Sequence, residues 1–117
     1  MTSILSSLFG NHNDISNLDP ESFERMMNEE KNFILLDVRT LEENKASRIP
    51  KAKLIDIHKP SFLDQIDKLD RSKSYFIYCR AGRRSYSACK QMKSMGFEKV
   101  YNLKGGIISW RGKTEQG

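Results

Sequence analysis

Two short, nearly unbroken apolar runs constrain the fold of this chain more than any other feature of its sequence. They occupy residues 33–38 and 75–78 and lack the regular apolar and polar alternation of a strand with one solvated face. Runs of this kind predict strands that are covered on both faces. Weaker runs at residues 53–57 and 100–103 predict further strands. Strands buried on both faces are typical of a parallel sheet between layers of helices, which predicts an α/β domain.

Helical signals lie between these runs. Asp19 before Pro20 and Glu21 predicts a helix start, because an aspartate cap, proline at the first position and a nearby acid suit free backbone amides. Apolar residues recur at helical spacing in residues 61–69 and 83–95. A closing helix is predicted by Ile107, Ile108 and Trp110. In such an alternation of strands and helices, the ligand site lies beyond the carboxyl ends of the parallel strands.

Length and composition exclude several classes of protein. The chain has 117 residues, which suits one domain, and a net charge of +5, which favours anionic partners. No run approaches the ~20 apolar residues of a membrane span. Two cysteines and two distant histidines do not form a clustered structural zinc site or a disulfide scaffold, so we expect no metal and no cofactor. The lysines are scattered among acidic residues, which argues against a nucleic-acid partner.

We expect the domain to span residues 15–112, with an N-terminal arm at residues 1–14 and a polar tail at residues 113–117. The arm has no lysine or arginine and its apolar run is interrupted, so it lacks the parts of a secretory signal. A short docking helix and a frayed terminus both remain open for it. A cytoplasmic location is the default expectation, and there Cys79 and Cys89 would stay reduced.

The motif that carries chemistry is the segment 79–85, which joins the second apolar run to a predicted helix. Gly82 lets the backbone turn, so that successive amides face inward and bind an anion. Inward amides, the helix N-terminus and three arginines favour the thiolate of Cys79, with a pKa below the ~8.5 of a free thiol. We therefore predict that Cys79 is a nucleophile. The alternative, an inert cysteine at a strand end, does not explain a glycine and three arginines around it.

Four segments resemble the rhodanese-like sulfurtransferases in their single-domain form, over residues 15–110. Residues 36–39 are similar to the family's Asp-Val-Arg strand end, and residues 78–85 to its active-site loop. Residues 96–106, with the tryptophan that follows, resemble its C-terminal signature. Residues 48–52 are similar to its His-Ile-x-Gly-Ala segment, but Arg48 stands in place of His and Lys51 in place of Gly. The resemblance implies a rhodanese-like fold with a mostly parallel, five-stranded sheet flanked by helices.

The resemblance also implies a reaction. Cys79 would take the outer sulfur from thiosulfate or a related donor, hold it as a persulfide, and pass it to a thiophilic acceptor, either cyanide or a thiol. The backbone of the loop would stabilise the sulfur anion and its arginines would attract the small anionic donor. The substrate-binding residues implied in this way are Arg80, Ala81, Gly82, Arg83 and Arg84.

Two other functions remain open. A rhodanese-like module could bind a protein, or relay sulfur from a protein donor to a protein acceptor, with little activity on small donors. A cysteine-based phosphatase or arsenate reductase is less favoured, because related members with that chemistry have a loop one residue longer than the six residues from Cys79 to Arg84. Phosphate-ester chemistry would also require a general acid, and the sequence offers no clear candidate.

Other polar and aromatic residues are expected to support the site or the core. Asp37 and Arg39 end a strand on the same side of the sheet as Cys79, so we expect Arg39 to support the loop and Asp37 to cap local amides. Cys89 lies about five residues into the following helix on its apolar face, so we expect a core residue rather than a redox partner. We expect Trp110 to be a core residue as well.

Overall fold

Five parallel strands form one sheet in the computed structural model, which describes residues 15–117. Along the chain the strands are β1 (Ser16–Leu18), β2 (Phe33–Asp37), β3 (Lys53–Leu54), β4 (Ser74–Tyr78) and β5 (Val100–Leu103). Their order in the sheet is β1-β5-β4-β2-β3. The two apolar runs of the sequence are the neighbouring strands β2 and β4, and every residue of β4 is buried. The predicted parallel α/β architecture is confirmed, whereas the expected N-terminal arm lies outside the described residues.

Within residues 15–117, four helices connect or follow the strands. They are α1 (Pro20–Glu29), α2 (Leu41–Ala46), α3 (Phe62–Asp67) and α4 (Arg83–Ser94). The predicted start of α1 is confirmed, because the carboxylate of Asp19 accepts a hydrogen bond from the Ser22 amide at 2.8 Å. None of the helices among the described residues is long and apolar enough to cross a membrane.

The predicted closing helix is only a single 3-10 turn, Ile107–Ser109. Trp110 is already extended, with φ −72° and ψ 135°, and its ring packs edge-on against Phe23 of α1 at 6.1 Å between centroids. Contact with the core therefore ends the helix after one turn. Trp110 lies at the edge of the core, half-buried, as an apolar packing residue.

The helices cover the sheet on two sides, and each side has its own apolar core. On one side α3 and α4 pack on β2 and β4 through a cluster that includes Cys89, which is fully buried. On the other side α1 packs through Phe23 and Met27 against Leu35, Phe76 and their neighbours. Because all strands are parallel, their carboxyl ends meet at one edge of the sheet, and Cys79 directly follows β4 at that edge.

Candidate active site

The segment after β4 turns sharply into α4. Gly82 is the residue that precedes α4, and its φ of +102° lies in the left-handed region. This conformation costs little for glycine and is unfavourable for a residue with a side chain. The turn brings the amides at the start of α4 back toward the end of β4, where the side chain of Cys79 lies.

The sulfur of Cys79 is surrounded by hydrogen-bond donors. The Gly82 amide donates to Sγ at 3.1 Å, the Ser85 amide at 3.3 Å and the Ser85 hydroxyl at 3.2 Å. Burial alone would raise the pKa of the Cys79 thiol, but the bonds from Ser85 and Gly82 outweigh it and lower the pKa below its usual value. The arrangement therefore favours the thiolate. The hydroxyl of Ser85 is a donor that the sequence reasoning missed, although Ser85 directly follows Arg84 in the motif.

A second turn, at residues 105–106, supports the loop from behind. Beyond this turn the Ile107 amide donates to the Cys79 carbonyl at 2.9 Å, and the Ile108 amide donates to the Arg80 carbonyl at 3.2 Å. Gly106 has a φ of +69°, and a Cβ at this position would collide with the Arg80 carbonyl. The turn and the loop are in direct backbone contact, and therefore only glycine fits at position 106.

The three arginines of the loop have different surroundings. Arg84 forms a bidentate ion pair with Glu43 of α2, with N–O distances of 2.8 and 2.9 Å. Arg80 and Arg83 are exposed and form no ion pair within residues 15–117. Arg80 and Arg83 are therefore available to bind an anion at the loop. Arg84 instead holds α2 against the loop.

Glu43 is a second residue that the sequence reasoning missed. It belongs to a capping box with Thr40 at the start of α2 and also binds Arg84. The bonds from Arg84, followed by those from Thr40, lower the pKa of Glu43 to about 2 against the opposing effect of burial. Glu43 is thus a carboxylate that connects α2 to the active-site loop. The spacing of Thr40 and Glu43 was the one available sequence signal for this helix.

Asp37 and Arg39 form a buried network next to the loop rather than within it. Arg39 donates through Nε and Nη2 to the two Asp37 oxygens at 2.9 and 2.8 Å, and its amide donates to Asp37 at 3.0 Å. The Tyr78 hydroxyl also donates to Asp37, at 3.1 Å, and the Arg39 guanidinium lies 5.3 Å from the centre of the Tyr78 ring. Within the described residues, neither Asp37 nor Arg39 makes a hydrogen bond to residues 79–84. The network instead fixes Tyr78, the residue before Cys79.

The two residues that depart from the family pattern lie in the segment after α2. Arg48 pairs with Glu115 through two backbone bonds of 2.9 and 2.8 Å and through an ion pair of 3.1 Å, so its side chain holds the C-terminal segment. Lys51 has a φ of +75°, a left-handed conformation that explains why glycine suits this position. The side chain of Arg48 is therefore engaged in an ion pair with Glu115. The backbone at Lys51 is strained.

Comparison with known proteins agrees with this geometry. The sequence model of the rhodanese-like domain family matches residues 19–113 of this chain. A sulfurtransferase of Allochromatium vinosum is 32% identical over 96 residues, which cover 82% of this chain and 88% of that protein. The thiosulfate sulfurtransferase GlpE of Pseudomonas savastanoi is 31% identical over 98 residues, covering 84% and 89%. The crystal structure of a rhodanese-like domain protein from Staphylococcus aureus superposes with a TM-score of 0.76 at 26% identity, covering 88% of this chain and 99% of that one.

Proposed function

This chain belongs to the rhodanese-like domain family, and from that premise we propose that it is a sulfurtransferase that moves sulfane sulfur from thiosulfate to cyanide or a thiol through a persulfide on Cys79. One observation carries the proposal. The buried sulfur of Cys79 accepts hydrogen bonds from the Gly82 amide and from both the amide and the hydroxyl of Ser85. Donors in this arrangement stabilise a thiolate, which is the nucleophile that the reaction requires.

In the first half of the reaction, the thiolate of Cys79 attacks the outer sulfur of thiosulfate. A sulfur–sulfur bond forms to Cys79, and the original sulfur–sulfur bond of thiosulfate breaks. The electron pair of the broken bond leaves with sulfite. The product on the protein is an anionic persulfide whose charge lies mainly on the outer sulfur, and we expect the backbone amides of the loop to stabilise it.

In the second half, the acceptor attacks the outer sulfur of the persulfide. Cyanide leaves as thiocyanate, whereas a thiolate acceptor leaves as a new persulfide. The bond to Cys79 breaks and its electron pair restores the Cys79 thiolate. The cycle transfers one sulfur atom and requires no external oxidant or reductant.

The remaining loop residues have separate roles in this proposal. Arg80 and Arg83 are exposed and unpaired within the described residues, so they attract the dianionic donor and the departing sulfite. Ala81 and Gly82 supply backbone amides that favour the Cys79 thiolate. Arg84 is held by Glu43 and fixes the loop against α2. Asp37 and Arg39 support the site through Tyr78, as described above.

The test is the intact mass of the purified protein after incubation with thiosulfate. We expect a gain of one sulfur atom, removed by cyanide with release of thiocyanate. Cys79→Ser should abolish the gain while keeping the fold, and Cys89→Ala is the matched control that should retain it, because Cys89 is buried in the core. A wild-type protein that takes up no sulfur, or a Cys79→Ser variant that still transfers it, would refute the proposal.

A protein as the sulfur donor or acceptor is the second candidate. Ile108 is 62% exposed, and its amide binds the Arg80 carbonyl, so an exposed aliphatic residue lies beside the loop. A protein partner buries such an apolar side chain on contact, whereas a small dianion does not. The second candidate would replace the first if Cys79 took no sulfur from thiosulfate but took it from a protein persulfide. In that case, Ile108→Asp should slow the transfer.

A further inference from the structure

A buried asparagine links the active-site loop to the edge of the sheet. Asn102 of β5 is 2% exposed, and its Nδ2 donates to the Gly82 carbonyl at 3.2 Å and to Asn17 Oδ1 at 2.7 Å. Asn17 lies directly opposite Asn102 on the edge strand β1. Both hydrogens of the Asn102 amide are therefore used to join β1, β5 and the loop.

The orientation of the Gly82 backbone depends on support of this kind. Its amide donates to Cys79 Sγ at 3.1 Å, and glycine has no side chain to restrict its backbone. The Gly82 carbonyl already accepts a hydrogen bond from the Tyr86 amide at 3.2 Å in the first turn of α4. Asn102 is thus not required to satisfy this carbonyl, and its bond adds a second restraint on the conformation of Gly82.

The other end of the Asn102 amide supports the same interpretation. Oδ1 of Asn102 is buried and has no hydrogen-bond partner among residues 15–117. A buried acceptor without a partner is unfavourable, and an apolar side chain of similar shape would avoid that cost. Packing therefore does not explain an asparagine here, whereas its two donated bonds do.

We propose that Asn102, with Asn17 behind it, is a positioning residue that holds Gly82 so that the Gly82 amide stays directed at the Cys79 sulfur. Its part in sulfur transfer rests on the proposed function, because the same amide would stabilise the persulfide. Its effect on the free thiolate does not depend on that function. Asn102 touches neither the sulfur nor, in this proposal, the substrate, and it acts only through Gly82.

The decisive variant is Asn102→Leu, which removes both donors and the unpaired acceptor while keeping a similar shape and no charge. We expect the variant to fold with an unchanged or higher melting temperature. The midpoint of the pH profile for alkylation of Cys79 by iodoacetamide should rise by about half a unit to one unit, since one of the donors to the thiolate is loosened. Arg84, which is paired with Glu43, and the buried thiol of Cys89 also interact electrostatically with Cys79, and the variant leaves these residues unchanged.

Asn17→Ala provides an independent test, because Asn17 is exposed on β1 and its loss does not disturb the core. The midpoint should move in the same direction by a smaller amount. Since Asn17 acts only through Asn102, the double variant should match Asn102→Leu alone. Asn28→Ala, at an exposed position on α1, is the control that should keep the wild-type profile.

A folded Asn102→Leu variant with the wild-type alkylation profile would overturn the proposal. If that variant does not fold, a wild-type profile in Asn17→Ala would overturn it instead. Sulfur uptake from thiosulfate is measured separately. If the wild-type protein takes up no sulfur, the proposed function fails, whereas the alkylation comparison still decides the role of Asn102.

Discussion

The hydroxyl of Ser85 offers a direct test of how the site stabilises a thiolate. In Ser85→Ala, Cys79 loses the hydroxyl donor at 3.2 Å and keeps the amides of Gly82 and Ser85. A hydrogen bond to a charged group contributes about 1.5–3 kcal/mol, and sulfur is a weak acceptor, so the low end applies. Since one pKa unit corresponds to about 1.4 kcal/mol, the pKa of Cys79 should rise by about one unit.

The assay is the rate of alkylation of Cys79 by iodoacetamide as a function of pH. Below both midpoints the variant should react about tenfold more slowly, because a smaller fraction of Cys79 is thiolate. At high pH the two rates should converge, or the variant should be slightly faster, because a thiolate of higher pKa is more nucleophilic. Ser87→Ala, on the exposed face of the same helix, is the matched control. An unshifted midpoint in a folded Ser85→Ala protein would refute the role of the hydroxyl.

The same shift predicts a dependence of stability on pH. The pKa of Cys79 is lower in the folded protein than in the unfolded chain, so the unfolded chain binds more protons between the two values. The free energy of unfolding should therefore rise with pH from the folded pKa up to about 8.5. Burial raises the pKa of Cys89, so its contribution is present below about 8.5 and is lost as pH rises further. Ser85→Ala should reduce the rise, and denaturant unfolding at a series of pH values measures it.

Three further predictions concern stability and the second cysteine. Glu43→Gln should lower the free energy of unfolding by about 1 kcal/mol at pH 7 and remove the loss of stability that the wild type shows as pH falls from about 4.5 to about 2. Lys51→Gly should stabilise the protein by up to about 1 kcal/mol in thermal unfolding because it relieves a φ of +75°, whereas Lys53→Gly in β3 should destabilise it. Cys89→Ala should cost about 1–2 kcal/mol and leave sulfur uptake unchanged, and a large loss of uptake in a stable protein would identify Cys89 as a redox partner.

The strands that were most clearly visible in the sequence are the two whose burial on both faces makes nearly all of their residues apolar. β2 and β4 are covered on both faces, so their residues are apolar throughout or nearly so. β1 has three residues, Ser16–Leu18, and exists because it pairs with β5, which lies far along the chain. α2 has the sequence Leu-Glu-Glu-Asn-Lys-Ala and buries only Asn44, so no apolar stripe announces it. β1 therefore depends on a tertiary partner that a local pattern does not contain, and α2 has only the capping box of Thr40 and Glu43 as a local signal.

The residues of the candidate site also fall into two groups, those that a local sequence pattern shows and those that only tertiary packing brings to the site. Cys79, Gly82 and the arginines form one continuous segment, so the nucleophile and its loop could be recognised locally. Glu43 reaches the loop across 41 positions of the chain, and Asn102 reaches it across 20. Their roles depend on the packing of α2 and β5 against the loop, and sequence alone does not give that packing.

The contact of Gly106 with the loop limits how this scaffold could be redesigned. The backbone at Arg80 presses against a position that has no room even for a methyl group, and the next two residues, Ile107 and Ile108, are hydrogen-bonded to the same stretch of loop. An insertion that lengthened the loop to admit a tetrahedral oxyanion would have nowhere to expand on that side. Lengthening the loop toward that side would therefore demand coordinated alterations in two segments separated by more than 20 residues, because a library that varied the loop alone would leave the opposing turn in place.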